Sequence, residues 1–132
     1  GTFLPIRGGD LDGHVMAAER FELPPATAER IAATRAAGGR VVAVGTTVVR
    51  ALESAAAIGM MGGGAGSAAL FIRPGHRFAV IDALLTNFHL PRSPLLALVA
   101  AFAGWDRVRA AYEDAVAHRY RFYSFGDAML LA

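Results

Sequence analysis

The stretch Arg40–Gly59 reads RVVAVGTTVVRALESAAAIG. Val41, Val42, Ala43 and Val44 form an unbroken apolar run, the pattern of a strand buried on both faces. Gly45 then breaks the run. From Thr46 onward the apolar positions Val48, Val49, Leu52 and Ala56 recur at helical spacing, and Gly59 ends the pattern. A buried strand that turns directly into an amphipathic helix is the unit of an α/β fold.

Working outward, the same class holds. Upstream, RFEL (20–23) suits a short strand, and PPATAERIAATRAAGG (24–39) suits a helix with proline at its start and Gly38 after its last turn. Downstream, MMGGGAGSA (60–68) reads as a flexible loop. LFIRPGHRFAVIDALLT (70–86) reads as two strands around an Arg-Pro-Gly-His turn. Ser93 can cap a helix whose first turn accepts Pro94, and LLALVAAFAG (95–104) is apolar on all sides, as a buried helix is. Asp106 can cap a further helix on which Val108, Tyr112, Ala115 and Val116 share a face. YRFYSF (120–125) alternates like a last strand. The expectation is a single domain over residues 1–132, a layered α/β/α sheet.

Composition bounds the function. A chain of 132 residues can bury a real core. The mean hydropathy of +0.40 owes much to alanine, and no apolar run approaches the roughly 20 residues that cross a bilayer. No signal peptide is visible, so a cytoplasmic site is expected. The lack of cysteine excludes disulfides and thiolate metal sites. All 13 basic residues are arginines, which fits a GC-rich genome and raises the pI to 9.7 although the net charge is only +2. They are scattered, so charge alone does not argue for a nucleic-acid partner.

Chemistry concentrates in a few places. Gly45-Thr46-Thr47 stands between a strand end and a helix start, where free backbone N–H groups and the helix dipole attract anions. Arg50 and Glu53, one turn apart, can reach that mouth or each other. The lysine and glycine spacing of a P-loop are missing. A second strand ends at Thr86, and Asn87 and His89 follow in a proline-stiffened loop. Asn87 can read an amide or base edge, and His89 can act as acid or base near neutral pH. Ser93 is read as a helix cap. His14 and Glu19 could face a site, yet their spacing fits no zinc motif. His76, His118 and Glu113-Asp114 are read as turn and surface residues. Phe125, before Gly126-Asp127, could stack on a base.

Five stretches, GTFLPI (1–6), HVMAAERFEL (14–23), GGRVVAVGTTVVRALESA (38–55), the long run 70–105 and YRFYSFGDAML (120–130), resemble the C-terminal part of the S-adenosylmethionine:tRNA ribosyltransferase-isomerase family of queuosine biosynthesis. The resemblance covers essentially the whole chain. It implies an enzyme that transfers and isomerises the ribosyl portion of S-adenosylmethionine onto 7-aminomethyl-7-deazaguanine in tRNA. Epoxyqueuosine is the product, adenine and methionine leave, and no metal is needed. On this reading S-adenosylmethionine is a substrate, tRNA is the partner, and no membrane is involved.

The resemblance implies catalytic roles for His89, Asn87 and Glu53. Substrate contacts are expected from Thr46, Thr47, Arg50, Asp82, His14, Glu19, Phe125 and Asp127. Ala17 stands where the family usually has a second histidine. The family's enzymes are more than twice as long and carry an inserted β-barrel domain. The chain therefore reads as a fragment with little activity alone, completed by a missing N-terminal portion or by self-association. The alternatives are a non-catalytic nucleotide- or RNA-binding module, and a structural module that needs a partner.

Overall fold

The computed structural model describes residues 16–132. Its elements run β1 (Glu19–Leu23), α1 (Pro25–Ala36), β2 (Val42–Val44), α2 (Thr46–Ala57), β3 (Gly64–Ala68), β4 (Ala83–Asn87), α3 (Pro94–Ala103), α4 (Trp105–Ala117) and β5 (Ala128–Leu131). The expected mixed α/β class is what forms. Two sheets are present among the described residues: β1 pairs antiparallel with β3, and a three-stranded sheet has the order β2-β4-β5. In the latter, β2 and β4 are parallel and β5 runs antiparallel to β4. The parallel pair requires the crossover through α2, as the strand-helix reading of 40–59 predicts.

One core serves both sheets. Ala43 and Leu84 on the inner face of the three-stranded sheet pack in the same cluster as Val49 and Leu52 of α2, Leu98 and Val99 of α3, and Val108 of α4. Fully burying side chains of this size stabilises by about 1.5–3 kcal/mol each. Ser93 caps α3 by accepting from the Leu96 N–H at 3.1 Å, and its own hydroxyl donates to the Leu90 carbonyl at 2.8 Å. Gly104 separates α3 from α4.

Six local expectations are overturned. β2 is covered on one face only. Val44, Leu85 and Leu130 form a row across the three strands, and Val44 and Leu130 are each 64% exposed. The glycine-rich stretch is not a loop but contains β3, whose backbone pairs with β1. There the Phe21 ring lies over Gly66, its register partner, and fills the space a side chain would need. Cross-strand packing thus overrides weak propensity.

The stretch before β4 forms no hairpin. The carboxylate of Glu53 takes the backbone N–H groups of Ala79, Val80 and Ile81, at 2.8, 3.0 and 3.2 Å, that a ladder would have used. The last strand is not 120–125 but Ala128–Leu131. On α4, Val108 and Ala115 are buried, whereas Val116 is exposed. The helix starts at Trp105, with Asp106 inside its first turn rather than at its cap.

Candidate active site

Parallel pairing brings the carboxyl ends of β2 and β4 side by side, and the Gly45 N–H donates to the Leu85 carbonyl at 2.8 Å. Beyond strand ends of this kind is where open α/β sheets hold ligands. Gly45, at φ 92°, turns the chain from strand to helix in a conformation that favours glycine. No side chain caps the α2 N-terminus. Its first N–H groups therefore retain capacity for an acceptor, and the positive end of the helix dipole is added to them.

A cleft of about 600 Å3 opens here. Thr46 and Thr47 line one side, Thr86, Asn87 and His89 another, and Tyr123 and Ser124 a third. Two stretches separated by forty residues, both singled out in the sequence, thus meet in one cavity.

His89 is the titratable group among the lining residues with a displaced pKa. Its Nε2 lies 2.9 Å from Thr86 Oγ1. Its backbone N–H donates to the Tyr112 hydroxyl at 2.7 Å, which fixes the loop against α4. Burial disfavours the charged imidazolium and lowers its pKa below the usual histidine value. A neutral imidazole at neutral pH carries one donor and one acceptor nitrogen, so it can take a proton. Burial raises the pKa of Tyr112, and the hydrogen bond from His89 acts weakly in the opposite sense. Tyr112 thus stays a neutral phenol.

Asn87 lines the cleft with its side-chain amide engaged by backbone. Its Nδ2 donates to the Asp127 and Gly126 carbonyls at 3.2 and 3.4 Å. Asp127 in turn accepts the Arg121 N–H at 2.7 Å. A Cβ on Gly126 would lie 2.3 Å from the Arg121 carbonyl oxygen, so only glycine closes this turn. The result presents Tyr123 and Ser124 to the cleft and leaves Phe125, the next residue in the chain, 97% exposed.

The remaining candidates sit elsewhere. Glu53 is 2% exposed, and the three backbone N–H groups use its carboxylate as a structural clamp; His76 Nε2 stands 3.5 Å from it. Arg50 turns from the mouth toward β1 and β3, donating to the Ala68 carbonyl at 3.0 Å and pairing with Glu19 at 3.3 Å. Asp82 accepts the Val41 N–H at 2.7 Å and fastens the start of β2 to β4. His14 lies outside the described residues. The structure therefore gathers Thr46, Thr47, Asn87 and His89, keeps Phe125 and Asp127 on the turn that carries the lining residues Tyr123 and Ser124, and does not bring Glu53, Arg50, Glu19 or Asp82 to the cleft.

Sequence reasoning missed Thr86 as the partner of His89, Tyr112 as the anchor of its loop, and Tyr123 and Ser124 as lining. The i, i+3 spacing of Thr86 and His89 was an available signal. Nothing local marks Tyr112, which reads as a core residue. Among the described residues, no three acidic or histidine side chains gather where a metal ion could be shared, and no helix is long and apolar enough to cross a membrane.

Comparison with known proteins adds to this geometry. The family described as "Queuosine biosynthesis protein" matches residues 1–131. The S-adenosylmethionine:tRNA ribosyltransferase-isomerase of Anaeromyxobacter sp. (strain Fw109-5) is 65% identical over 132 residues, covering 100% of this chain and 38% of that protein. The protein of the same name from Thiobacillus denitrificans is 59% identical over 131 residues, again with 38% of its length covered. The crystal structure of S-adenosylmethionine tRNA ribosyltransferase from Thermotoga maritima superposes with a TM-score of 0.83 at 53% identity, covering 86% of this chain and 40% of that one. The chain thus spans about two fifths of the length of these relatives.

Proposed function

This chain belongs to the family of queuosine biosynthesis proteins, and we propose that it supplies the strand-end cleft of an S-adenosylmethionine:tRNA ribosyltransferase-isomerase. The substrates are S-adenosylmethionine and a tRNA carrying 7-aminomethyl-7-deazaguanine. The reaction forms a bond from the aminomethyl nitrogen to the ribosyl unit, expels adenine, and releases methionine as the epoxide closes. It begins with loss of a proton from the 5′ carbon beside the sulfonium. Such chemistry needs a neutral base near pH 7 and donors for developing negative charge. The cytoplasm, where tRNA and S-adenosylmethionine meet, is the compartment this implies.

The observation that carries the reading is His89, held neutral by burial and set 2.9 Å from Thr86 in a cleft that also receives the uncapped start of α2. His89 moves the proton. Thr46, Thr47 and the first N–H groups of α2 bind a polar end of the nucleoside substrate. Asn87 keeps the rim in place. Arg50 and Glu19 tie α2 to the β1–β3 sheet. Glu53 and Asp82 hold backbone away from the cleft, at 79–81 and at Val41, and Asp127 holds the turn that carries Tyr123.

Ribosyl transfer to suitably modified tRNA, followed by adenine release in the longest protein that carries this chain, tests the proposal. His89→Ala is expected to lower kcat by about 10²–10⁴-fold with S-adenosylmethionine binding retained. A variant at near wild-type rate refutes the role. The 132 residues alone are expected to turn over little or not at all. A second reading, a nucleotide- or RNA-binding module without turnover, is favoured by Ala17 in place of the histidine usual in the family. Binding of S-adenosylmethionine by the longest protein without adenine release would select it.

A further inference from the structure

The turn after α4 is anchored from beneath, where Phe122 packs on Phe88 and Tyr112 and Tyr120 meets Phe88 edge to face. Its sequence, RYRFYSFGD (119–127), places Tyr120, Tyr123 and Phe125 at the surface. A phenyl ring that is 97% exposed contributes almost nothing to the core. Yet the backbone beneath it is held from several sides. Asn87 binds the Gly126 and Asp127 carbonyls, Asp127 binds the Arg121 N–H, and the Tyr123 N–H donates to the Phe88 carbonyl at 3.2 Å. Arg119, at φ 58°, ends α4 in the usual left-handed helix stop, with the Tyr120 N–H donating to the Ala115 carbonyl at 2.8 Å, whereas Tyr123 adopts φ 71° within the turn, a conformation costly for a residue with a side chain. Such strain persists where surrounding contacts over-determine it, and it clusters at functional sites.

We infer that this turn is a stacking platform for an unpaired nucleobase of the RNA substrate, with Phe125 as its face. The inference rests on the functional reading above and sharpens it, because it says where RNA outside the reacting nucleotide is held. Three observations favour RNA as the occupant. Tyr123 and Ser124 line the cleft, so the platform continues directly from the place where the reacting nucleotide would enter. Arg119 and Arg121 lie exposed among the aromatic residues; Arg119 can meet a phosphate, and Arg121 can exchange its 3.8 Å ion pair with Asp127 for one. Interleaved aromatic and arginine side chains offer bases a π-face and the chain a counter-charge, the combination that holds single-stranded nucleic acid. Asn87 is then a positioning residue for the platform.

The test uses the protein that carries this chain. It measures KM for tRNA and for S-adenosylmethionine, thermal stability, and the fluorescence of 2-aminopurine placed next to the reacting nucleotide of an RNA stem-loop. Phe125→Ala should raise KM for tRNA by about tenfold or more and abolish the quenching that stacking causes. The melting temperature and the KM for S-adenosylmethionine should stay unchanged, and Phe125→Trp should restore both RNA readouts. A Phe125→Ala enzyme with tRNA KM within about twofold of wild type overturns the inference while leaving the transferase reading intact. A lowered melting temperature for that variant also overturns it, since Phe125 would then be packed on protein. If wild type shows no turnover, the transferase reading fails. Quenching then still decides the platform: its presence in wild type and loss in Phe125→Ala supports it, and its absence in wild type overturns it.

Discussion

Thr86 Oγ1 and His89 Nε2 stand 2.9 Å apart at the carboxyl end of β4, one at the last inward-facing position of the strand and the other in the loop that follows. The hydroxyl orients the imidazole from below while the Tyr112 phenol accepts the His89 backbone N–H from the side. Thr86→Val keeps the shape and removes the hydrogen bond. Turnover should fall by roughly fivefold through kcat, with KM for S-adenosylmethionine unchanged, because a neutral hydrogen bond of this kind is worth about 1 kcal/mol. Steady-state kinetics on the two variants Thr86→Val and Thr86→Ser separate the hydroxyl from the methyl, and Thr86→Ser should keep most of the rate.

The buried imidazole also couples folding to pH. His89 has a lowered pKa in the folded protein, whereas the unfolded chain takes its proton at the ordinary value of about 6.5. Below that value the unfolded state binds more protons, so stability is lost as pH falls from about 6.5 toward the folded pKa. Above about 6.5 the contribution is fully present. Urea unfolding across this window should give a steeper pH slope for wild type than for His89→Gln. Parallel slopes would show that His89 titrates alike in both states.

Glu53 should behave as a structural residue. Its carboxylate accepts three backbone N–H groups from 79–81 while almost wholly buried. Glu53→Gln replaces an acceptor oxygen by an N–H2 group that faces donors. A loss of about 3 kcal/mol is expected, measurable by denaturant unfolding. Hydrogen exchange at Val80 and Ile81 should accelerate. Per folded molecule, S-adenosylmethionine affinity should be retained; a selective loss of kcat with unchanged stability would instead give Glu53 a chemical role.

Gly126→Ala puts a Cβ 2.3 Å from the Arg121 carbonyl oxygen and cannot be accommodated without moving the turn. The expected cost is roughly 1–3 kcal/mol. The Asn87 bonds to the Gly126 and Asp127 carbonyls should loosen with it, seen as faster exchange of the Tyr123 and Asp127 amides. Asn87→Ala should show the same exchange pattern with a smaller stability loss. Unchanged exchange in both variants would mean the turn is held by other contacts.

Much of this protein is legible in its sequence because the relevant signals are local. The strand-to-helix step at Gly45, the Ser93-Pro94 helix start and the helical spacing of α4 depend on neighbours three or four residues away, and each forms. Thr46, Thr47, Asn87 and His89 could be singled out because they follow strand ends. Tertiary structure alone decided the rest. Whether Gly64–Ala68 became a strand depended on β1 and on the Phe21 ring over Gly66. Whether the segment before β4 became a hairpin depended on a carboxylate 26 to 28 residues upstream. Arg50 and Glu53 lie one turn apart on α2, yet their partners lie in β1, β3 and the approach to β4, so packing sent both away from the mouth. Sequence spacing fixes which residues can share a helix face or a strand end. Which of them meets a ligand, and which is consumed by the backbone, is set by long-range pairing, because a buried polar group must take whatever partner the fold brings to it.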